Sequence, residues 1–221
     1  MTNEEILSHI DHTLLKAAAS WNEIKVLCGE AVQFKTASVC IPPGYVKPVH
    51  DAYGAGLNIC TVIGFPLGYS VAAVKVLETE EAIRSGASEI DMVINIGDVK
   101  NGSYEKILDE IKQIKKACGG KILKVIIETC YLSEEEKVRM CGIVTEAGAD
   151  YIKTSTGFGT AGAVLADVEL FKKHIGKEVK IKAAGGVKTR EDLEKFLAAG
   201  ASRIGTSSAV KLLAGESATG Y

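Results

Sequence analysis

The sequence predicts a single (β/α)8 TIM barrel of the α/β class, and three observations carry that expectation. Eight short runs rich in apolar and β-branched residues alternate with helix-like patterns along all 221 residues, a rhythm too regular for segregated α and β regions. A Gly-Ala-x-x-Ile joint recurs at Gly86, Gly148 and Gly200, at intervals of 62 and 52 residues, each about twice a βα step of roughly 25 to 30 residues. No long linker or second compositional zone interrupts the chain. One closed barrel accounts for eight such steps better than a doubly wound sheet does.

Taken in order, residues 1–8 read as an extension with a short helix, and the first strand is expected near 9–13. Ser20-Trp21-Asn22-Glu23 has the form of a capping box, opening a helix that leads to a strand near 36–41. The strand near 57–64 runs into Gly64-Phe65-Pro66-Leu67-Gly68, a strand-end turn whose phenylalanine packs. Gly86 suits the position just past a helix, where positive φ is easy for glycine, and the residues after it start a strand near 88–95. A strand near 121–128 precedes a second capping box at Ser133-Glu134-Glu135-Glu136. The joint at Gly148 opens a strand near 149–154, and another follows near 179–184. Thr189-Arg190-Glu191-Asp192, a close variant of the box, begins the helix before the last joint and the strand near 202–206. Residues 215–221 read as a mobile tail, and 1–221 as one domain.

Composition narrows the function. The 26 basic and 28 acidic side chains give a net charge of −2 with no basic tract, which argues against a nucleic-acid partner. Met1-Thr2-Asn3-Glu4-Glu5 lacks the basic start and apolar core of a signal peptide. No run approaches the roughly 20 apolar residues that span a bilayer, so a cytoplasmic protein without a membrane partner is expected. The six cysteines sit singly in apolar segments, without a Cys-x-x-Cys pair, as small buried hydrophobes do. The four histidines lack ligand spacing, which argues against a metal-assisted aldolase or hydrolase. His12, in Ile10-Asp11-His12-Thr13, reads as structural ahead of the alternative that it lines the pocket. Gly157-Phe158-Gly159-Thr160-Ala161-Gly162 has the letters of a dinucleotide fingerprint but follows a strand ending in lysine and lacks the later acidic residue.

Side-chain alternation then separates the strand faces. Ile90, Met92 and Ile94 share one side and Asp91, Val93 and Asn95 the other; Val39 and Ile41 likewise oppose Ser38 and Cys40. In a barrel the apolar set faces the helices, so Asp91, Cys40, Lys153 and Lys182 face inward. One lysine–aspartate pair could merely fill the interior. Two lysines and an aspartate at the C-terminal strand ends instead occupy the rim where barrel enzymes place catalytic groups. A lysine at its ordinary pKa near 10.4 is neutral in about one molecule in 2,500 at pH 7, and bringing that value to 7 takes about 4.6 kcal/mol. Burial and a second cation nearby supply such a bias, so one lysine can attack a carbonyl while the other stays charged. Spacing alone does not decide which. The turns Gly185-Gly186 and Gly205-Thr206-Ser207-Ser208 follow the last two strands, where this barrel class usually cradles a phosphate.

Ile10-Asp11-His12-Thr13-Leu14-Leu15-Lys16, Ser38-Val39-Cys40, Gly64-Phe65-Pro66-Leu67-Gly68, Glu89-Ile90-Asp91-Met92-Val93-Ile94-Asn95, Lys153-Thr154-Ser155-Thr156-Gly157-Phe158, Lys182-Ala183-Ala184-Gly185-Gly186-Val187 and Arg203-Ile204-Gly205-Thr206-Ser207-Ser208 run in order along the chain. Together they closely resemble the deoxyribose-phosphate aldolase family. The resemblance implies a class I, cofactor-free and metal-free lyase that reversibly cleaves 2-deoxy-D-ribose 5-phosphate to acetaldehyde and D-glyceraldehyde 3-phosphate in deoxyribose phosphate catabolism. It implies that Lys153 carries the Schiff base, with Lys182 as the cationic neighbour favouring its neutral form. Asp91 then serves with Lys182 as general acid and base, supported by Asp11 and Thr13. It further implies phosphate contacts at Gly157, Gly185, Gly186, Gly205, Ser207 and Ser208, a pocket including Leu15, Cys40 and Thr154, a terminal Tyr221 that assists proton transfer, and a homodimer.

The chain departs from that family pattern at two places. Ala161-Gly162-Ala163-Val164 stands where paired glycines and a threonine usually lead into a helix, and valine cannot cap as threonine would. Pro42 follows Ile41 where asparagine is common, stiffening the loop beside Cys40. Two other readings compete: a transaldolase-like or keto-acid Schiff-base barrel, and a non-catalytic phosphosugar-binding barrel. The Asp91, Lys153 and Lys182 set argues against the second, since binding alone needs no neutral amine.

Overall fold

Short strands with apolar residues on their outer face and helix-forming segments between them close into a barrel in a computed structural model that describes residues 1–214. The 215–221 tail, and with it Tyr221, lies outside the described residues. Eight parallel strands are hydrogen-bonded in sequential order, and β8 returns to β1. They are β1 (Ile10–Thr13), β2 (Ser38–Ile41), β3 (Ile59–Ile63), β4 (Glu89–Val93), β5 (Ile122–Ile126), β6 (Tyr151–Lys153), β7 (Lys180–Ala184) and β8 (Arg203–Thr206). Each lies inside its expected segment. Helices α1 (Asn3–Leu7), α2 (Trp21–Phe34), α3 (Val46–Tyr53), α4 (Ala72–Arg84), α5 (Ile96–Lys100), α6 (Tyr104–Ala117), α7 (Glu134–Glu146), α8 (Leu165–His174), α9 (Arg190–Ala199) and α10 (Ala209–Leu213) intervene or flank. The capping boxes at Ser20/Glu23, Ser133/Glu136 and Thr189/Asp192 all form, and Thr2/Glu5 adds one before α1.

The repeated joint has a common hydrogen-bond geometry. Gly86, Gly148 and Gly200 have positive φ, and the alanine after each donates its N–H to the carbonyl five residues back, at Ala82, Val144 and Phe196. This is the Schellman closure of a helix, which satisfies an otherwise orphaned carbonyl before the strand begins. A fourth joint was not legible as a repeat. Lys35 takes the left-handed position at φ 52°, and Thr36 N–H reaches Ala31 O at 3.1 Å before β2. The four joints therefore precede β2, β4, β6 and β8, one per pair of βα steps.

Register sorts the inward side chains into layers. Asp11 pairs with Ser38 and Gly205, Cys60 with Cys40 and Glu89, Lys124 with Asp91 and Tyr151, and Lys182 with Lys153 and Arg203. Odd strands thus supply a middle layer of Asp11, Cys60, Lys124 and Lys182. Even strands supply a lower layer of Ser38, Glu89, Tyr151 and Arg203 and an upper layer of Cys40, Asp91, Lys153 and Gly205. Three layers of four from alternate strands is the packing such barrels use, normally with aliphatic side chains. Here the aliphatic residues, including Ile41, Ile63, Ile90, Met92, Val125 and Ile152, face outward into the large core against the helices. A second apolar cluster of Leu15, Cys40, Cys60 and Val62, with Phe65 packed on it, lies inside the barrel.

Candidate active site

Asp91 is the hub of the interior. Its Oδ2 lies 2.7 Å from Lys153 Nζ and 2.6 Å from Lys182 Nζ, so the two amines are at most about 5 Å apart. Its Oδ1 accepts from Lys124 Nζ at 2.9 Å and from Cys60 Sγ at 3.1 Å. Lys124 also meets Glu89 at 2.5 Å and Asp11 at 3.7 Å. Lys182 pairs with Asp11, which accepts from Ser38 Oγ at 2.7 Å and from Arg203, while Arg203 also reaches Glu89 at 3.1 Å. Three carboxylates thus face four cations. Lys153 contacts one of those carboxylates, whereas Lys124 contacts three and Lys182 and Arg203 two each. Lys153 is also the upper-layer lysine, at the C-terminal end of β6.

Complete burial opposes ionisation of Asp91, but the ammonium groups of Lys124, Lys153 and Lys182 outweigh it and hold the carboxyl well below the usual range. Asp11 is lowered in the same way against burial, chiefly by Lys182 and Lys124. Burial disfavours the charge on Lys182, yet Asp11 and Asp91 prevail and raise its pKa, so it remains an ammonium at neutral pH. Lys124 is raised well above the ordinary lysine value against the same burial, first by Asp91. Beside Lys153 therefore stand an ionised Asp91 and a protonated Lys182. Cys40 Sγ, Cys60 Sγ and an Asp91 oxygen lie within 4.8 Å of one another, but a metal ion there would meet the repulsion of the surrounding ammonium groups.

An interior that fixes lysines against carboxylates at the open end of an eight-stranded barrel is built for chemistry on a carbonyl group. Residues 6–216 match the DeoC/LacD family aldolase model. The chain belongs to this aldolase family. It is 62% identical over 221 residues to the deoxyribose-phosphate aldolase of Clostridium botulinum (strain Alaska E43 / Type E3), covering all of both chains. It is 59% identical over 218 residues to that of Clostridioides difficile (strain 630), covering 99% of this chain and 100% of the other. Its fold superposes on the tetrameric deoxyribose phosphate aldolase from Aeropyrum pernix with a TM-score of 0.88, at 31% identity and covering 96% and 91% of the two chains.

In this aldolase the sequence-predicted residues do not all share one place. Asp11, Asp91, Lys153 and Lys182 converge directly. Thr13 donates to the Asp11 carbonyl at 2.7 Å and so braces the strand end. Leu15 and Cys40 belong to the apolar cluster inside the barrel. Thr154 points away from Lys153, as alternation requires, and its hydroxyl is engaged by the Ala184 N–H at 3.1 Å and carbonyl at 3.3 Å. Gly205 lies within β8 rather than in a turn; a Cβ there would come 3.2 Å from Lys182 Cε and Ala184 Cβ, so the glycine leaves room for the lysine. Gly157 and Gly185 have φ of 88° and 77° and adjoin each other on the rim beside Gly186. Ser208 N–H is taken by Thr206 Oγ1 at 3.1 Å, and Ser207 lines a groove of about 370 Å³ with His12, Asn22 and Lys211. His12 itself faces α2, bonding Glu30 at 2.6 Å. Val164 precedes α8 as its N-cap residue and supplies no side-chain cap, as expected; the loop is held instead by Ala163 N–H on the Ala184 and Gly185 carbonyls.

The sequence alone assigns no role to Lys124, Glu89, Arg203 or Cys60. Lys124 carried the same signal as Lys153 and Lys182, a charge inside an apolar run. Glu89 and Arg203 stand two residues before Asp91 and Gly205, on the same strand faces.

Proposed function

We propose that this chain is a class I aldolase that reversibly cleaves 2-deoxy-D-ribose 5-phosphate to acetaldehyde and D-glyceraldehyde 3-phosphate. Two lysines sharing one oxygen of a buried carboxylate carry the reading. The amine of Lys153 attacks C1 of the open-chain sugar, and loss of water gives the protonated imine. Asp91, ionised, is the base that accepts the C3 hydroxyl proton, directly or through a water, while Lys182 is the acid that assists dehydration. As the C2–C3 bond breaks, its electrons pass into the imine to form an enamine, and glyceraldehyde 3-phosphate departs. Protonation at C2 and hydrolysis of the imine release acetaldehyde and restore Lys153.

The sugar phosphate is assigned to the rim formed by Gly157, Gly185 and Gly186, with Ser207 and Ser208 at its edge. Supporting this, the N–H groups of Gly185 and Gly186 donate to no protein acceptor among the described residues, and backbone donors of this kind suit an anion. The inner wall of Leu15, Cys40, Val62 and Phe65 suits the small apolar end of acetaldehyde. A homodimer remains part of the proposal, supported by the exposed apolar residues Tyr69, Val71, Val74 and Leu77. A cytoplasmic location is likewise part of the proposal; no helix among the described residues is long and apolar enough to cross a membrane.

Borohydride reduction in the presence of acetaldehyde, followed by peptide mass mapping, tests the assignment. The adduct is expected on Lys153, and Lys153→Ala is expected to fold while losing turnover and adduct together. An adduct confined to another lysine, or turnover retained in the variant, would sink the role given to Lys153.

A further inference from the structure

Glu128, two residues beyond β5, has no part in the proton relay, yet its backbone is held where few side chains are tolerated. It has φ 50° and ψ 68°, and Glu128 and Lys35 are the non-glycine residues with positive φ among the described residues. Lys35 is an exposed helix end. Glu128 is buried. A turn needing only this conformation would take glycine or asparagine, so the carboxylate itself calls for explanation.

Both of its oxygens accept from Thr156, and Oε1 also takes a long contact from Cys130 Sγ at 4.0 Å. Oε1 and Oε2 accept from Thr156 N–H at 3.1 and 3.3 Å, and Oε2 also accepts from Thr156 Oγ1. Thr156 Oγ1 in turn accepts from Phe158 N–H at 3.0 Å. Burial pushes the Glu128 carboxyl up, while the Thr156 hydrogen bonds and the charge of Lys153 pull it down; as a carboxylate it accepts and cannot donate, which fixes the hydroxyl proton toward it and leaves the Oγ1 lone pair for Phe158. The residues on either side complete the clasp: Ile127 N–H reaches Lys153 O at 3.1 Å and Thr129 N–H reaches Thr154 O at 2.9 Å. Gly159 closes over the carboxylate, where a Cβ would come 3.1 Å from Glu128 Cδ. Between the two fixed ends stands Gly157, against Gly185, and Phe158 meets Phe65 edge-on at 5.4 Å over the inner pocket.

We propose that Glu128 is a positioning residue that sets the Thr156–Phe158 turn, and through it the phosphate rim at Gly157, without taking part in the chemistry at Lys153. This deepens the aldolase reading and rests on it. A residue of this kind acts on recognition of the phosphate end of the substrate, so its loss separates phosphorylated from unphosphorylated sugars. A carboxylate whose only service was to hold the fold would affect both alike.

The experiment compares wild type, Glu128→Ala, Glu128→Gln and Thr156→Val on 2-deoxyribose 5-phosphate and on unphosphorylated 2-deoxyribose, with acetaldehyde–borohydride trapping alongside. For Glu128→Ala, KM for the phosphorylated sugar is expected to rise about tenfold or more, the effect of losing a hydrogen bond to a charged group. The kcat/KM for 2-deoxyribose is expected to stay within about threefold, and trapping at Lys153 to persist. Glu128→Gln keeps one acceptor oxygen and should recover part of the KM. Thr156→Val removes the hydroxyl link while leaving Glu128 in place, and should reproduce the substrate discrimination if the alanine variant fails to fold. Equal losses on both sugars, or an unchanged KM in both Glu128→Ala and Thr156→Val, would overturn the assignment. Wild-type protein that neither turns over nor traps acetaldehyde would overturn the aldolase reading and this one with it.

Discussion

Replacing Asp91 with asparagine tests the centre of the site, because the change is nearly isosteric and alters one charge. Oδ1 faces Lys124 Nζ at 2.9 Å and Oδ2 faces Lys182 and Lys153 at 2.6 and 2.7 Å. An asparagine amide has one acceptor and one NH2, so either orientation aims a donor at an ammonium group. Removing one partner from a buried ion cluster costs about 3–5 kcal/mol, since the remaining charges stay desolvated. That is a large share of the roughly 5–15 kcal/mol that holds a typical domain folded. The loss is expected in equilibrium urea unfolding as a lower midpoint with an unchanged slope. On the folded fraction, kcat for deoxyribose 5-phosphate is expected to fall by about 10²- to 10⁴-fold, the contribution of a positioned base. A stability change below about 1 kcal/mol, well short of the cost of an uncompensated buried charge, together with kcat within about threefold of wild type, would refute both the hub geometry and the role as base.

Two further outcomes follow from the same geometry. In Gly162→Ala the new Cβ would lie 2.4 Å from the Gly185 carbonyl carbon and 2.8 Å from Gly186 N, so two backbones must separate; a loss of about 1–3 kcal/mol is expected, with KM for the phosphorylated substrate rising more than kcat falls. An unchanged KM would argue against the phosphate rim. The low pKa values of Asp11 and Asp91, lowered against burial by the surrounding lysines, mean that their stabilisation is complete above the ordinary aspartate value and is lost as pH falls through the lowered one. Urea midpoints should therefore drop progressively below about pH 4, and Asp11→Asn should flatten that limb. A wild-type midpoint constant down to pH 2.5 would contradict the ionised cluster.

Local signals made most of this fold legible. Strand runs, capping boxes and the Gly-Ala-x-x-Ile joints depend on neighbours in sequence, and alternation placed Asp91, Lys153 and Lys182 inside. The layering depends on register between strands, which no single strand encodes, so neither Lys124, though it breaks an apolar run, nor Glu89 stands out as part of the cluster. Gly205 was read as a turn because glycine usually marks one; inside β8 it makes room for Lys182. Lys35 and Glu128 adopt left-handed backbone that their residue types do not announce. In both cases hydrogen bonds formed only in the folded chain outweigh local preference.

The four Schellman joints give the interior an ancestry-like grammar. Each introduces an even strand, and each even strand contributes one member of the upper ring: Cys40, Asp91, Lys153 and Gly205. A thiol, a carboxylate, an amine and a gap therefore stand at equivalent places in four quarter-barrels that share the same joint. Chemistry in this architecture can be rewritten one quarter at a time, at a single ring position, while the joint that aims the strand is left alone.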